Sequence, residues 1–256
     1  MTKIFEALEY AGLDRTNLRG QEETSPPVPR QPEINQVLFP ATALKPTDGS
    51  AANFAAGLYQ NMIALLPGRE GRIIQFQGTQ KGDGTTTLVR KLAILAAMKL
   101  QKKVLLLDLN QNTPNQCSYF HVRSELPLSD STLRAKPARK DFARVDDSSL
   151  YVTQLSARHL SDNIVCEMSQ IGDLLKELRG EFDLILIDSP AVISCPEWLL
   201  LAPKVDGVVL VVEAGKTRWQ TVNKVKESIS AQNGNILGVV LNKRRYPIPD
   251  FIYKRI

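Results

Sequence analysis

The strongest constraint on this chain is one segment in which an apolar strand runs into a glycine-threonine loop and then into a helix. Ile73, Ile74 and Phe76 precede the loop Gly78-Thr79-Gln80-Lys81-Gly82-Asp83-Gly84-Thr85-Thr86-Thr87, and Leu88, Leu92, Leu95 and Ala96 recur at helical spacing after it. Strand, glycine loop and helix in that order make a phosphate cradle. Gly82 and Gly84 let backbone N–H groups approach an anion, and the helix N-terminus favours negative charge. The full pattern, G-x-x-x-x-G-K-[ST], has a lysine that touches the β- and γ-phosphates. Here Thr85 stands at the lysine position. A threonine offers a hydroxyl and no charge. The loop therefore has the frame of a nucleotide-driven enzyme without the side chain on which phosphoryl transfer most depends.

The rest of the chain supplies a fold for this loop. Apolar runs of strand length recur at 73–77, 104–109, 150–155, 184–188, 208–213 and 236–242. Most are continuously apolar, as in strands buried on both faces of a parallel sheet. Helical stretches at 86–100, 164–178 and 218–232 separate them. That alternation predicts a doubly wound α/β fold, a mostly parallel sheet with helices on both faces, whose site lies at the carboxyl ends of the strands. Two of those ends carry aspartate: Asp108 closes Val-Leu-Leu-Leu-Asp and Asp188 closes Leu-Ile-Leu-Ile-Asp. A carboxylate there can hold Mg²⁺ directly or through water, and the Thr86 hydroxyl is a further candidate ligand. Asn242, ending Gly-Val-Val-Leu-Asn, is placed to read a base edge. The expected nucleotide-binding set is thus Lys81, Gly82, Asp83, Gly84, Thr85, Thr86, Thr87 and Asn242, and the expected metal set is Thr86, Asp108 and Asp188.

The 256 residues allow one large domain plus an extension. Residues 1–13 read as a short amphipathic helix with Ile4, Leu8 and Ala11 on one face. Residues 14–50 are polar, hold six prolines between Pro26 and Pro46, and read as a linker; residues 51–256 are the expected domain. The segment 111–149 is irregular and reads as a mobile lid or surface excursion. Three widely spaced cysteines, without a Cys-x-x-Cys, point to reduced thiols rather than a disulfide frame. His121 and His159 have no ligand-like neighbours at metal spacing. The net charge of +5 is too mild, and too poor in interleaved aromatics, to suggest nucleic acid; Lys136, Arg139, Lys140 and Arg144 read as solvated surface. No apolar run is long enough to cross a bilayer, and the charged N-terminal stretch does not read as a secretory signal. The expectation is a cytoplasmic protein, peripheral at the inner membrane only through a partner.

Taken together, these motifs resemble the cytoplasmic domain of bacterial tyrosine autokinases, relatives of the MinD/ParA ATPases that work in capsule and exopolysaccharide assembly. The resemblance covers about residues 50–245, and Met1-Thr-Lys-Ile-Phe-Glu-Ala-Leu8 is also similar to that group. Residues 81–87 stand where the family has P-G-E-G-K-[ST]-T, and 105–114 where it has L-L-I-D-A-D-L-R-R-P. Ile187-Asp188-Ser189-Pro190 resembles the Walker B motif, and 206–218 and 237–242 are close matches. The resemblance implies ATP or ADP with Mg²⁺ as cofactor, Asp108 as the group that assists loss of the tyrosine proton, and a membrane polysaccharide copolymerase (Wzz-like) or an active kinase paralogue as partner. It also implies phosphoacceptor tyrosines near the C-terminus, here Tyr246 and Tyr253.

The departures fall on function. Thr85 replaces the loop lysine, Asn110 replaces the second acid of the middle motif, and Asn112 and Thr113 replace an arginine pair. The family's assembly motif E-x-x-R-x-x-R aligns with Asn53, Ala56 and Tyr59, so all three charges are absent and the oligomeric state is open. Lys81 lies one position from where MinD-type relatives carry a lysine that reaches across a dimer, which makes it a candidate substitute. Three readings follow: a degenerate, regulatory kinase-like protein with weak nucleotide binding, an active tyrosine autokinase with an unusual loop, and a MinD/ParA-like positioning ATPase.

Overall fold

The computed structural model describes residues 38–40, 50–110, 115–126, 142–155 and 164–244. The predicted helix at 2–13, nearly all of the linker, Asn112, Thr113, the basic residues 136–140, Tyr246 and Tyr253 lie outside the described residues. All described residues belong to one unit, Gln36–Ile256.

Among the described residues nine strands form one sheet in the order β1-β9-β8-β2-β7-β3-β6-β4, with β5 pairing β6. They are β1 Leu38–Pro40, β2 Arg72–Gly78, β3 Val104–Asp108, β4 Glu125–Leu126, β5 Ala143–Arg144, β6 Leu150–Leu155, β7 Leu184–Ser189, β8 Gly207–Glu213 and β9 Ile236–Asn242. Every pairing is parallel except β5 with β6. The helices are α1 Ser50–Ala64, α2 Thr85–Ile94 with a π turn at Leu95–Lys99, α3 Gln116–Tyr119, α4 Ile164–Leu178 and α5 Trp219–Ala231. A 3₁₀ stretch, Pro196–Lys204, was not foreseen from periodicity. Neither was β1: three residues of the stretch read as linker pair with β9, Leu38 opposite Val239, and form the edge of the sheet. Its length is too short for an alternating pattern to stand out in a proline-rich context.

Continuously apolar strands have two buried faces, and the packing shows both. Leu105, Leu107, Ile185, Ile187, Val208 and Leu210 pack with α4, α5 and the 3₁₀ stretch. Their neighbours in sequence, Leu106, Leu184, Leu186, Val209 and Val211, pack with α1 and α2 on the other face. The doubly wound α/β architecture with helices on both faces is thus present. From β2 the chain runs outward to β3 and β6, returns to β7, and then adds β8 and β9 on the opposite side. The loop after β2 therefore sits at the point where strand order reverses, where such sheets bind ligands.

Candidate nucleotide site

Thr85 to Thr87 open α2, and Gly84 precedes them with φ +89° and no side-chain cap. The first N–H groups of the helix are thus left for an external acceptor. Gly84 is a backbone necessity, since a β-carbon there would lie 2.2 Å from Asn242 Nδ2. The loop is shaped from within by Asp83, whose buried carboxylate accepts from Thr79 N at 2.8 Å, Thr79 Oγ1 at 2.6 Å and Gln80 N at 2.9 Å. Asn242 Nδ2 donates to Asp83 O at 2.8 Å, so the end of β9 is bound to the loop backbone. The same amide was expected to read a base edge; its described contact is the loop.

Thr85 turns inward. It is buried, and a β-carbon on Gly78 would lie 2.7 Å from its Oγ1. Thr85 still forms part of the cleft wall, but with a short, uncharged side chain where a lysine would carry an ammonium. Thr86 faces the other way, donating its hydroxyl to Asp188 Oδ1 at 3.3 Å. Asp108 and Asp188 end adjacent strands and are register partners. The structure thus brings together the three residues expected around Mg²⁺, but engages them unequally. Asp108 accepts four bonds: from Asn110 N and Nδ2, and from Asn115 N and Gln116 N, at 2.8–3.1 Å. Asp188 accepts from Thr86 and from Gln116 Nε2 at 2.9 Å. Burial, followed by the neighbouring charge of Asp108, raises the Asp188 carboxyl to about 7; the bonds from Gln116 and Thr86 oppose the rise.

Three participants were not foreseen. Gln116 is fully buried, donates to both Asp188 and Thr86 O, and accepts from Arg90 Nε at 2.9 Å. Arg90 also bonds Asn115 at 2.6 Å and stacks on Tyr119 with its guanidinium 3.8 Å from the ring centre. Its pKa is lowered by burial, against the opposing pull of Tyr119, Asp188 and Asp108. Spacing could have found Arg90, four residues past Thr86 on one helix face. Gln116 lies in a segment without periodicity and gave no such signal. The third, Lys243, follows Asn242 directly and places Nζ 2.5 Å from Gly82 O. Lys81 is exposed, with no hydrogen-bond or ion-pair partner among the described residues.

The loop, Thr86, Arg90 and Lys243 line a cleft of about 820 Å³ that runs to Ser189, Pro190 and Trp198; Asp108, Asp188 and Gln116 lie buried behind its wall. Its volume falls in the range of small-molecule and cofactor sites. Uncapped helix amides, glycines at 82 and 84, and the Thr86–Asp188 pair fit the phosphates and Mg²⁺ of a nucleotide; position 85 contributes no charge to that fit.

A parallel sheet with a glycine phosphate loop at its reversal point, backed by a threonine–aspartate pair, defines a P-loop NTPase fold of the MinD/ParA type. The solved structure of MinD from Pyrococcus horikoshii with Mg-ADP superposes with a TM-score of 0.54 at 22% identity, covering 72% of this chain and 76% of that one. The kinase domain of the Escherichia coli tyrosine kinase ETK gives 0.67 at 18% identity over 78% and 79%. The chimerical protein CapA2B2 gives 0.65 at 23% over 79% and 88%. Among curated proteins, the tyrosine-protein kinase YwqD of Bacillus subtilis is 22% identical over 177 residues, 69% of this chain and 74% of that protein. The tyrosine-protein kinase CpsD of Streptococcus agalactiae is 23% identical over 177 residues, 69% and 77%. The succinoglycan biosynthesis transport protein ExoP of Rhizobium meliloti is 26% identical over 184 residues, 70% of this chain and 23% of that protein. No family model matches the chain. The chain is similar in sequence to the bacterial tyrosine-protein kinases YwqD and CpsD, and it shares the fold of the MinD structures.

Proposed function

We propose that this chain is a degenerate tyrosine-autokinase-like protein that regulates capsule or exopolysaccharide biosynthesis or export, holding nucleotide weakly and turning it over slowly or not at all. The observation that carries the reading is Thr85, buried beneath Gly78 where the pattern calls for a lysine in the cleft. Losing a charge-assisted hydrogen bond to phosphate costs about 1.5–3 kcal/mol, tenfold or more in affinity. The transition state, with more charge to stabilise, suffers further. The phosphates would rest on amides of the loop and the first turn of α2, and Mg²⁺ on Thr86 and Asp188. Bound Mg²⁺ would supply charge neutralisation between the phosphates. Asp108, already accepting four donors, serves in this reading to hold Asn110, Asn115 and Gln116 rather than to take a tyrosine proton. The similarity to the succinoglycan biosynthesis transport protein ExoP supports the pathway. A membrane copolymerase or an active kinase paralogue is the proposed partner, with the protein cytoplasmic and at the inner membrane only through it. Among the described residues no helix is long and apolar enough to cross a membrane.

A second reading, an active autokinase, draws on the Thr86–Asp188 pair, which retains a metal-binding arrangement. One experiment separates them: incubation with Mg-ATP followed by phosphotyrosine detection, for wild type and Thr85→Lys. The proposed reading expects no signal from wild type and stronger Mg-ATP binding by the variant. Robust phosphotyrosine on wild type refutes it.

A further inference from the structure

Three cations line the cleft: Lys81, Arg90 and Lys243. Arg90 is committed, fixed by Gln116, Asn115 and the Tyr119 ring. Lys81 is exposed on the loop and contacts no acceptor among the described residues. Lys243 differs from both. It leaves the end of β9 with φ +55°, uncommon for a residue with a β-carbon. That left-handed turn follows Asn242, which is bonded to the loop, and it brings the lysine onto the loop as well. The last residue of β9 and the one after it thus engage consecutive loop carbonyls, Asn242 on Asp83 and Lys243 on Gly82. The Lys243 Cε is 3.7 Å from where a Gly84 β-carbon would stand.

The present partners of this ammonium are a carbonyl and a carboxylate shared with another lysine. Gly82 O is a neutral carbonyl, and Glu213 Oε2 is 3.5 Å away. Glu213 also pairs with Lys216 at 3.2 Å, so it would keep a partner if Lys243 moved. The lysine is about half exposed, at 47%, and free to re-aim over a short distance. A phosphate oxygen is a stronger acceptor than a carbonyl for a charged donor.

We propose that Lys243 supplies to bound nucleotide phosphates the positive charge that Thr85 cannot, completing the phosphate site from the β9 side of the loop. The inference rests on the reading that the loop holds nucleotide. It makes residual binding a property of two strand ends rather than of one loop. The ligand class is a di- or triphosphate, and the ammonium recognises the phosphates, not the base.

The test is calorimetric titration of Mg-ADP and of magnesium pyrophosphate into the full chain. Lys243→Met should weaken both by about tenfold or more. Lys243→Arg should retain binding within a few-fold. In a Thr85→Lys background, Lys243→Met should matter far less, because the charge is then already present. Wild-type binding that survives Lys243→Met within about twofold, in a protein of unchanged melting temperature, overturns the assignment. Should Lys243→Met melt early, Glu213→Gln carries the test. Removing the competing carboxylate should tighten Mg-ADP binding by roughly twofold or more, and unchanged or weaker binding there overturns the assignment. The outcomes distinguish the two levels of inference. No binding of either ligand by wild type removes the nucleotide-holding part of the proposed function and this assignment together. Phosphotyrosine formed by wild type removes the proposed function and leaves Lys243 standing.

Discussion

The ends of β3 and β7 look interchangeable in sequence and are not so in the fold. Each is an aliphatic run closed by aspartate, the two aspartates are register partners, and both are buried. Asp108 meets four N–H donors from the segment that follows it. Asp188 meets one amide and one hydroxyl; burial first, and then the neighbouring Asp108 carboxylate, raises its proton affinity, and those two bonds oppose the rise. A buried carboxylate with its acceptor sites filled is a fastener. One with fewer donors, buried behind a threonine hydroxyl that lines the cleft, is a candidate place for a cation. The difference lies in the supply of donors, and the same strand pattern accommodates both outcomes.

That contrast can be broken by substitution. The largest effect is expected from Asp108→Ala, which strands the N–H groups of Asn110, Asn115 and Gln116. We expect a loss of about 3 kcal/mol or more, read as a denaturant midpoint shift. A loss within about 0.5 kcal/mol would mean that Asp108 is no fastener. Next comes Gln116→Leu, which removes a donor from Asp188 and an acceptor from Arg90 and should cost about 2 kcal/mol. It should also raise the Asp188 carboxyl further, visible by carboxyl NMR titration. An unmoved Asp188 titration would show that the amide bond does not bear on it.

A smaller effect is expected at Gly84. A β-carbon there meets Asn242 and must adopt φ +89°, so Gly84→Ala should cost about 1–3 kcal/mol and weaken nucleotide binding. Full stability with full binding would mean the β9 contact is dispensable.

The subtlest expectation concerns pH. The folded Asp188 carboxyl titrates near 7, well above the unfolded value of about 3.9. Between those values the folded state keeps a proton that the unfolded chain has lost. Stability of the metal-free protein should therefore fall as pH rises from about 4 to about 7 and level off above that. Mg²⁺ runs the opposite way, because it competes with the proton: Mg-nucleotide affinity should rise with pH through about 7. Asp188→Asn should flatten both profiles. Parallel melting curves for wild type and variant across this window would overturn the linkage.

What the sequence by itself determined is the scaffold and the candidates. Continuous apolar runs separated by amphipathic helices require a two-faced parallel sheet, because strands of that composition need cover on both sides. The order of glycine loop, Asp108, Asp188 and Asn242 then places all of them at one sheet edge. The missing lysine is likewise legible, since it is a matter of residue type. Tertiary structure alone decided how these residues divide the work. Gln116 comes from a segment with no period to read, and its buried amide joins Asp188, Thr86 and Arg90. The inward turn of Thr85 depends on its fit beneath Gly78. Lys243 reaches the loop because β9 runs parallel beside β8 and ends over it, 161 residues along the chain from Gly82. Periodicity reports which face a residue occupies, whereas the pairing of donors with acceptors depends on which distant segments the fold brings within 3 Å.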